Sequence, residues 1–493
     1  MTPRAGQTLG LEMEMVVARR ESGTSHPVVG YFDALAAIKT ARGEAPDLVR
    51  IDGKTVGVSV AAGESGLDNG FNLLETALAP VSEEEGGGLA ELARRVGREL
   101  ADASAALHGE DAVILNASEH PQCTLDPAWY ASVHVPRPIY RELVGHREWL
   151  HRVGIDAKAQ NSPCTSVDVS QAARALNVVL ALAPASIAIF ANSPLENGRV
   201  TGLKENRLTV WDRMFRHSRF AGDHYLQRLP ERPFVDLGDY FRWMFAPGTV
   251  SRCLPLAVDE GYKSAAGVYL RGSPSLSAFL ASEGWSGLRT DTGEVVTITP
   301  QGSHFEYSQF AHFLDARWRY RLAAPPTLDA LRSAWRQPGG IEDLFARLGA
   351  SGYIEGRAPG AGFADGQLLQ EAGPAVAATL VMAPSALQLG LMRNLSQAED
   401  LLRAWGWLRL RAMRADAIRD ALHDPAVRAL ADEVLAVAAG GLAPAERDWL
   451  AYARYAIDTR STGADRLLQL WRQHGDDSDR LAAICRARAL VQL

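Results

Sequence analysis

The sequence predicts an α+β fold, with an antiparallel sheet whose polar concave face collects ligands, helices on its other face, and a helical C-terminal region. Three observations lead there. Segments such as Gly10-Leu-Glu-Met-Glu-Met-Val-Val17 alternate polar and apolar residues with the period of a half-buried strand. Asp52-Gly53, set between two such runs, is a hairpin turn. Longer segments carry apolar residues at helical spacing, and Gln397 to Leu493 does so with breaks only near Gly440-Gly441 and Ser461-Thr-Gly463.

A chain of 493 residues exceeds one ordinary domain, and we expect residues 1–395 to form one unit with residues 396–493 packed on it as helices. Core helices explain such stripes, and an oligomer contact through them stays open. Hydrophobic residues at 47% and charged residues at 22% are near the globular average. The net charge of -7 suggests neither nucleic acid nor an anionic membrane as partner, so phosphorylated substrates would need local cations or bound metal. Cys123, Cys164, Cys253 and Cys485 form no CxxC pair, which argues against a zinc site. The N-terminus runs into the acidic strand without an apolar signal segment, and no stretch reaches bilayer-spanning length. The expectation is a cytoplasmic protein with reduced thiols.

In the first strand Glu12 and Glu14 share one face, and Leu11, Met13 and Met15 the other. Paired like charges raise each other's cost of ionisation, and a hard divalent ion with oxygen ligands relieves it. A solvated acidic face is the plainer alternative. Tyr31 to Lys39 has helical spacing, and Arg50 to Val60 contains the hairpin turn. In Asp68-Asn-Gly-Phe-Asn-Leu-Leu-Glu-Thr-Ala-Leu78, Glu75 sits among apolar neighbours until Pro80 ends the run. Burying that carboxylate unpaired is costly, so it is either a ligand or an edge residue facing water. Glu83-Glu-Glu-Gly-Gly-Gly88 reads as a solvated connection before a helix from Leu89 to Leu107. Val113 to Pro121 reads as a strand ending in a turn, with His120 structural.

Ser166-Val-Asp-Val-Ser170 is expected to be a strand with Asp168 on its polar face. Ala172 to Phe190 reads as a buried helix broken at Pro184, leading into a loop punctuated by Asn192-Ser-Pro194, Gly198 and Gly202. That loop is neither a Walker loop nor a dinucleotide-binding turn. Cys164 has no visible base beside it, and we assign it no nucleophilic role.

Four ordered motifs make the chain recognisable. Ala191-Asn-Ser-Pro194 with Gly198, Gly202, Arg207 and Trp211 resembles a signature of the glutamate–cysteine ligases of the plant and proteobacterial type, within the carboxylate–amine ligases. The opening Gly-x-Glu-x-Glu, Asp68 to Glu75, and Tyr353-Ile-Glu-Gly-Arg357 extend the resemblance over most of residues 8 to 395. Departures are Met15 where the plant-type enzymes carry Lys, Asp168 in place of Gln or His, Gln160 and Asn161 where an Arg is expected, and Glu205 in place of Ser. The stretch from Arg321 to Gly352 also looks longer than the family connection.

The resemblance implies the curved sheet shared with glutamine synthetase, with residues 1–395 as the catalytic ligase domain. It implies that ATP phosphorylates the γ-carboxylate of L-glutamate and that an amine then attacks the acyl phosphate. The implied acceptor is L-cysteine, giving γ-glutamylcysteine for glutathione-type thiol synthesis. On this reading Glu12, Glu14, Glu75 and Glu355 hold Mg2+. Asp168 contacts metal or nucleotide, and Arg207 and Arg357 clamp phosphate or carboxylate. Alternatives are the same chemistry on a different amine, and a non-catalytic relative that binds a metabolite or a partner protein.

Overall fold

Strand β1 (Thr8–Arg19) has an apolar side that is fully used: Leu9, Leu11, Met13 and Met15 are each at most 1% exposed. This makes it the natural centre of a sheet, and the computed structural model, which describes residues 7–82, 88–122, 126–155, 158–245, 251, 253–256, 267–308, 314–475 and 477–493, places it there. The connection at residues 83–87 and Cys123 lie outside the described residues. Strands β5 (Leu73–Leu78) and β6 (Val81–Ser82) pair along one edge of β1. Strands β7 (Ala112–Leu115) and β8 (Asn161–Ser166) pair along the other. Adding β2 (Asp47–Ile51), β3 (Lys54–Val60), β4 (Gly63–Leu67), β9 (Ala316–Arg321) and β10 (Ser351–Gly356) gives an open antiparallel sheet in the order β9-β10-β8-β1-β5-β4-β3-β2. The β2–β3 turn has Asp52 and Gly53 at φ 49° and 78°, the left-handed pair that the twist of a two-residue hairpin requires.

Helices cover the apolar face. Gly88–His108 lies against β1 and β7, Ala172–Ala181 against β9 and β10, and Ala383–Arg393 against β8. The buried Gln388 of the last helix ties it to the sheet, its amide donating to the Pro163 and Ile354 carbonyls at 3.0 Å each. The helix expected over 172–190 breaks at Leu182, and Ala183–Ile189 continues at 47° with Pro184 in its first turn, where the missing N–H costs nothing. Among the described residues no single helix is long and apolar enough to cross a membrane.

One expected element is corrected. Strand β8 stops at Ser166, and Asp168 instead caps a short 3-10 turn, Val169–Gln171. Its Oδ1 accepts from the Ser170 backbone N–H at 2.8 Å and the Ser170 hydroxyl at 2.6 Å. Short Asp and Ser side chains compete with the ladder for backbone donors, and here they win.

The C-terminal helices share one hydrophobic core with the sheet. Helix Ala383–Arg393 crosses Pro425–Gly441 so closely that a Cβ on Gly390 would stand 2.2 Å from the Ala438 carbonyl oxygen. Farther on, Arg488 is fully buried, pairs with Asp365 at 3.0 Å and donates to the Asn192 side chain at 2.7 Å. Gly390→Ala should therefore force the two helices apart and cost about 1–3 kcal/mol. Thermal melts of the two proteins side by side check this, and an unchanged midpoint would contradict the close crossing.

Candidate active site

Residues directly opposite each other in an antiparallel pair share a face, so the register lays out the polar side of the sheet in rows. One row runs Arg317, Glu355, Cys164 and Gly10, and a second runs Arg319, Tyr353 and Ser166. A third runs Ser162, Glu12, Ala77 and Glu64, and a fourth Glu14, Glu75 and Gly66. Most of these residues line one cavity of about 1000 Å³. Its β9–β10 side is cationic and its β1–β5 side is anionic.

On the anionic side Glu14 faces Glu75 across the strand pair, and Glu12 is hydrogen-bonded carboxyl to carboxyl with Glu75. Burial, and then Glu75, push the Glu12 carboxyl well above its ordinary range. Burial also raises Glu14, with Asp68 and Glu75 adding to it and Arg357 and Lys158 opposing. One Glu14 oxygen meets the Gln160 amide at 3.4 Å, while Oε2 is buried without a partner. Among the described residues no three His, Cys, Asp or Glu groups form a ready-made metal cage.

On the cationic side Glu355 is 1% exposed and sits inside an arginine cluster rather than open to the other carboxylates. Arg357 reaches its Oε1 at 2.6 Å, and Arg317 and Arg319 reach Oε2 at 2.9 and 3.2 Å. Burial alone would raise its pKa, but Arg317, Arg357 and Arg319 hold it well below the usual range. Both oxygens expected to face a metal are thus taken by guanidinium groups.

Arg207 is also held. Its guanidinium donates to Glu205 at 2.8 Å, Gln160 at 3.1 Å and the Ala358 carbonyl at 2.9 Å, so Gln160 joins Arg207 to Glu14. Glu205, 0% exposed, also accepts from the Asn192 N–H and the Ser193 hydroxyl, which locks the Asn-Ser-Pro turn onto this arginine. Asp168 is exposed and does not line the cavity. Met15 points away, into the core. Burial raises the Cys164 thiol well above its ordinary value, with Glu355 and Glu12 adding to the effect, so it stays protonated and inert. His120 is fully buried, bonds the Gly23 carbonyl at 3.0 Å, and is pushed down to about 4 by burial.

Sequence reasoning missed the cationic strand. Ala316-Arg-Trp-Arg-Tyr-Arg321 alternates with period two, and that pattern could have placed Arg317, Arg319 and Arg321 on one face with Trp318 and Tyr320 in the core. It also missed Lys158, which pairs with Asp68 at 3.2 Å and lies 5.0 Å from the Trp211 ring, and no motif signalled it.

Residues 8–232 match the family model of glutamate-cysteine ligase family 2, the family that the motifs resemble. The matched region ends before β9 and β10. No curated protein matches the chain by sequence. Among solved structures, a glutamate–cysteine ligase from Francisella tularensis in complex with AMP aligns over 98% of this chain and 89% of its own, at 15% identity and a TM-score of 0.46. A bifunctional glutathione synthetase from Pasteurella multocida aligns over 97% of this chain and 52% of its own, at 13% identity and a TM-score of 0.36.

The raised Glu12 pKa has a stability consequence. Between the ordinary value of 4.5 and the raised one, the folded state binds more protons than the unfolded state, so stability is lost as pH rises through that window. Glu12→Gln should melt higher than the parent protein at neutral pH, and its advantage should shrink on acidification toward the ordinary value. A difference independent of pH would rule out Glu12 as the strained carboxyl.

Proposed function

We propose that this chain is an ATP-dependent γ-glutamyl ligase that joins the γ-carboxylate of L-glutamate to an amine through a γ-glutamyl phosphate, releasing ADP and phosphate. The observation that carries the reading is the cavity divided by charge on the polar face of the sheet, and the family match over residues 8–232 supports it. Phosphoryl transfer to a carboxylate brings two anions together, so the site needs cations on one side and a means of neutralising phosphate on the other. The cavity has the first in its arginines and a fitting donor set for the second in its carboxylates.

Magnesium fits the anionic side on two counts. Glu14 Oε2 is buried without a partner, and the Glu12 and Glu75 carboxyls are in hydrogen-bond contact. Magnesium keeps several waters and takes one or two carboxylates plus substrate phosphates, so no complete protein cage is required. Glu12, Glu14 and Glu75 would hold it, and when bound it would neutralise phosphate charge. In this reading Glu355 orients Arg317, Arg319 and Arg357 rather than binding metal, and Asp168 has no part.

Arg357 and Arg319 hold the anionic groups while a γ-carboxylate oxygen attacks the terminal phosphorus and the bond to ADP breaks. The amine nitrogen then attacks the acyl carbon, and phosphate leaves with the electron pair of the broken carbon–oxygen bond. The departing phosphate, which grows more basic as the carbon–oxygen bond breaks, takes the proton that the amine sheds. Arg207 is a positioning residue that acts on Glu14 through Gln160. The motif resemblance names L-cysteine as acceptor. An amine without a carboxylate is the second reading, favoured by the acidity around Glu14, Glu75 and Asp68. A reduced, cytoplasmic setting, as expected from the sequence, would keep free cysteine available to such a reaction.

Mass spectrometry of reactions containing ATP, glutamate and a panel of amines tests the proposal, with a γ-glutamyl amide and ADP as the expected products. Absence of glutamate-dependent ADP formation with every acceptor would overturn it. Arg357→Lys should keep the fold and lose turnover on the order of 10²-fold, because lysine lacks the two-pronged donor geometry. A parental rate in that variant would remove Arg357 from the mechanism. Added Mg2+ should raise the melting temperature of the parent protein and raise that of Glu75→Gln less. Equal shifts would place the ion elsewhere.

A further inference from the structure

A cation stands at the carboxylate end of the cavity that the ligase reading leaves unused. Arg137 lines the cavity and is half-buried. One of its terminal nitrogens donates to the Leu67 carbonyl at 2.8 Å, at the end of β4, and its Nε is buried without a partner. Among the described residues no carboxylate pairs with it. The other cations differ in this respect: Lys158 is paired with Asp68, Arg207 with Glu205, and Arg317, Arg319 and Arg357 with Glu355. A guanidinium drawn partly out of water with one carbonyl for company has an unbalanced charge and an unmet donor, and a carboxylate answers both.

The sheet order separates this position from the other arginines. Strands β1 and β5 lie between β9 and β4, so Glu12, Glu14 and Glu75 stand between Arg317 and Arg319 on one side and Arg137 on the other. Along the sheet β9 and β4 are five strand spacings apart, roughly 24 Å. The anion that Arg137 meets is therefore a different one from that held by Arg319 and Arg357.

Beside Arg137 the cavity wall turns apolar, with Ile139, Tyr140, Leu143 and Trp211. Tyr140 is fastened to the link between β4 and β5, its hydroxyl donating to the Asp68 carbonyl at 2.9 Å. Lys158, 5.0 Å from the Trp211 ring, is already paired with Asp68. Such a wall suits an uncharged side chain and costs a charged one its hydration. Glutamate leaves it uncovered, because its side chain ends in the carboxylate that must reach phosphorus. An acceptor amino acid fills both features, with its carboxylate on Arg137 and its side chain on the wall. Its nitrogen attacks as the free base, so it needs no contact with the carboxylates assigned to magnesium.

We propose that Arg137 reads the carboxylate of the acceptor, which makes the acceptor an α-amino acid with an uncharged side chain seated against Tyr140 and Trp211. The assignment rests on the ligase reading and decides between its two classes of acceptor. Arg137 makes and breaks no bond: the amine nitrogen forms the amide bond, and phosphate leaves with the electron pair of the carbon–oxygen bond and takes the proton.

The test uses the full chain with ATP, glutamate and Mg2+ on two pairs of acceptors that differ only in the carboxylate, L-cysteine with cysteamine and L-phenylalanine with phenethylamine, at equal concentrations of free-base amine. In the faster pair the acid is expected to have a kcat/KM at least about tenfold above its amine. Arg137→Gln should reduce that preference about tenfold, through KM for the acid. Arg137→Lys keeps the charge and should retain more of the preference than Arg137→Gln. An amine used as well as its acid by the parent protein would overturn the acceptor assignment and leave the ligase intact. Equal losses for acid and amine in Arg137→Gln would mark a structural role and overturn it, as would a rise in KM for glutamate or ATP in place of the acceptor. Equal effects of the Lys and Gln substitutions would remove the charge from recognition, with the same result. Absence of glutamate-dependent ADP formation with every acceptor would overturn the ligase reading and this assignment together.

Discussion

Carboxylates brought face to face across β1 and β5 are the constraint that the rest of the site answers. Glu14 and Glu75 are register partners, and Glu12 hydrogen-bonds Glu75, so the centre of the sheet concentrates like charge in a partly buried space. Such an arrangement is strained unless protons or cations enter it. The protein places cations around it instead of through it: Lys158 on Asp68, Arg357 within electrostatic reach of Glu14, and Arg317 and Arg319 drawn to Glu355. A cavity with an arginine side and a carboxylate side results, and that asymmetry separates the substrates in the proposed reaction.

A chain of buried hydrogen bonds links this centre to the far end of the polypeptide. Arg488 holds Asn192, the Asn192 N–H donates to Glu205, Glu205 receives Arg207, and Arg207 reaches Glu14 through Gln160. Every member is 8% exposed or less. Buried polar networks of this kind hold one geometry because each broken link leaves an unsatisfied group. The C-terminal helices therefore belong to the site's support as well as to the core.

The departures from the plant-type pattern acquire physical meaning in that network. Gln160 brings no charge of its own and joins Arg207 to Glu14, while Glu205 supplies the anion that balances Arg207. Met15 and Asp168, two further departures, lie away from the cavity, one in the core and one as an exposed cap. Ile139, Tyr140, Leu143, Trp149, Trp211 and Met214 form an aromatic wall of the cavity, although they are scattered over 139–214.

The sequence by itself determined the α+β class, the central acidic strand with its two faces, the β2–β3 hairpin, the main helices and the family likeness, because each is written in local periodicity, turn chemistry or contiguous motifs. The pairing of Glu14 with Glu75, the capture of Glu355 by three arginines and the assembly of the aromatic wall were decided only by the tertiary structure. Strand order and register bring together residues hundreds of positions apart, and local pattern carries no information about which strand lies beside which. Ser166 to Ser170 shows the limit even within a segment, since alternation alone cannot tell a strand from a turn in which Asp168 takes the backbone donors for itself.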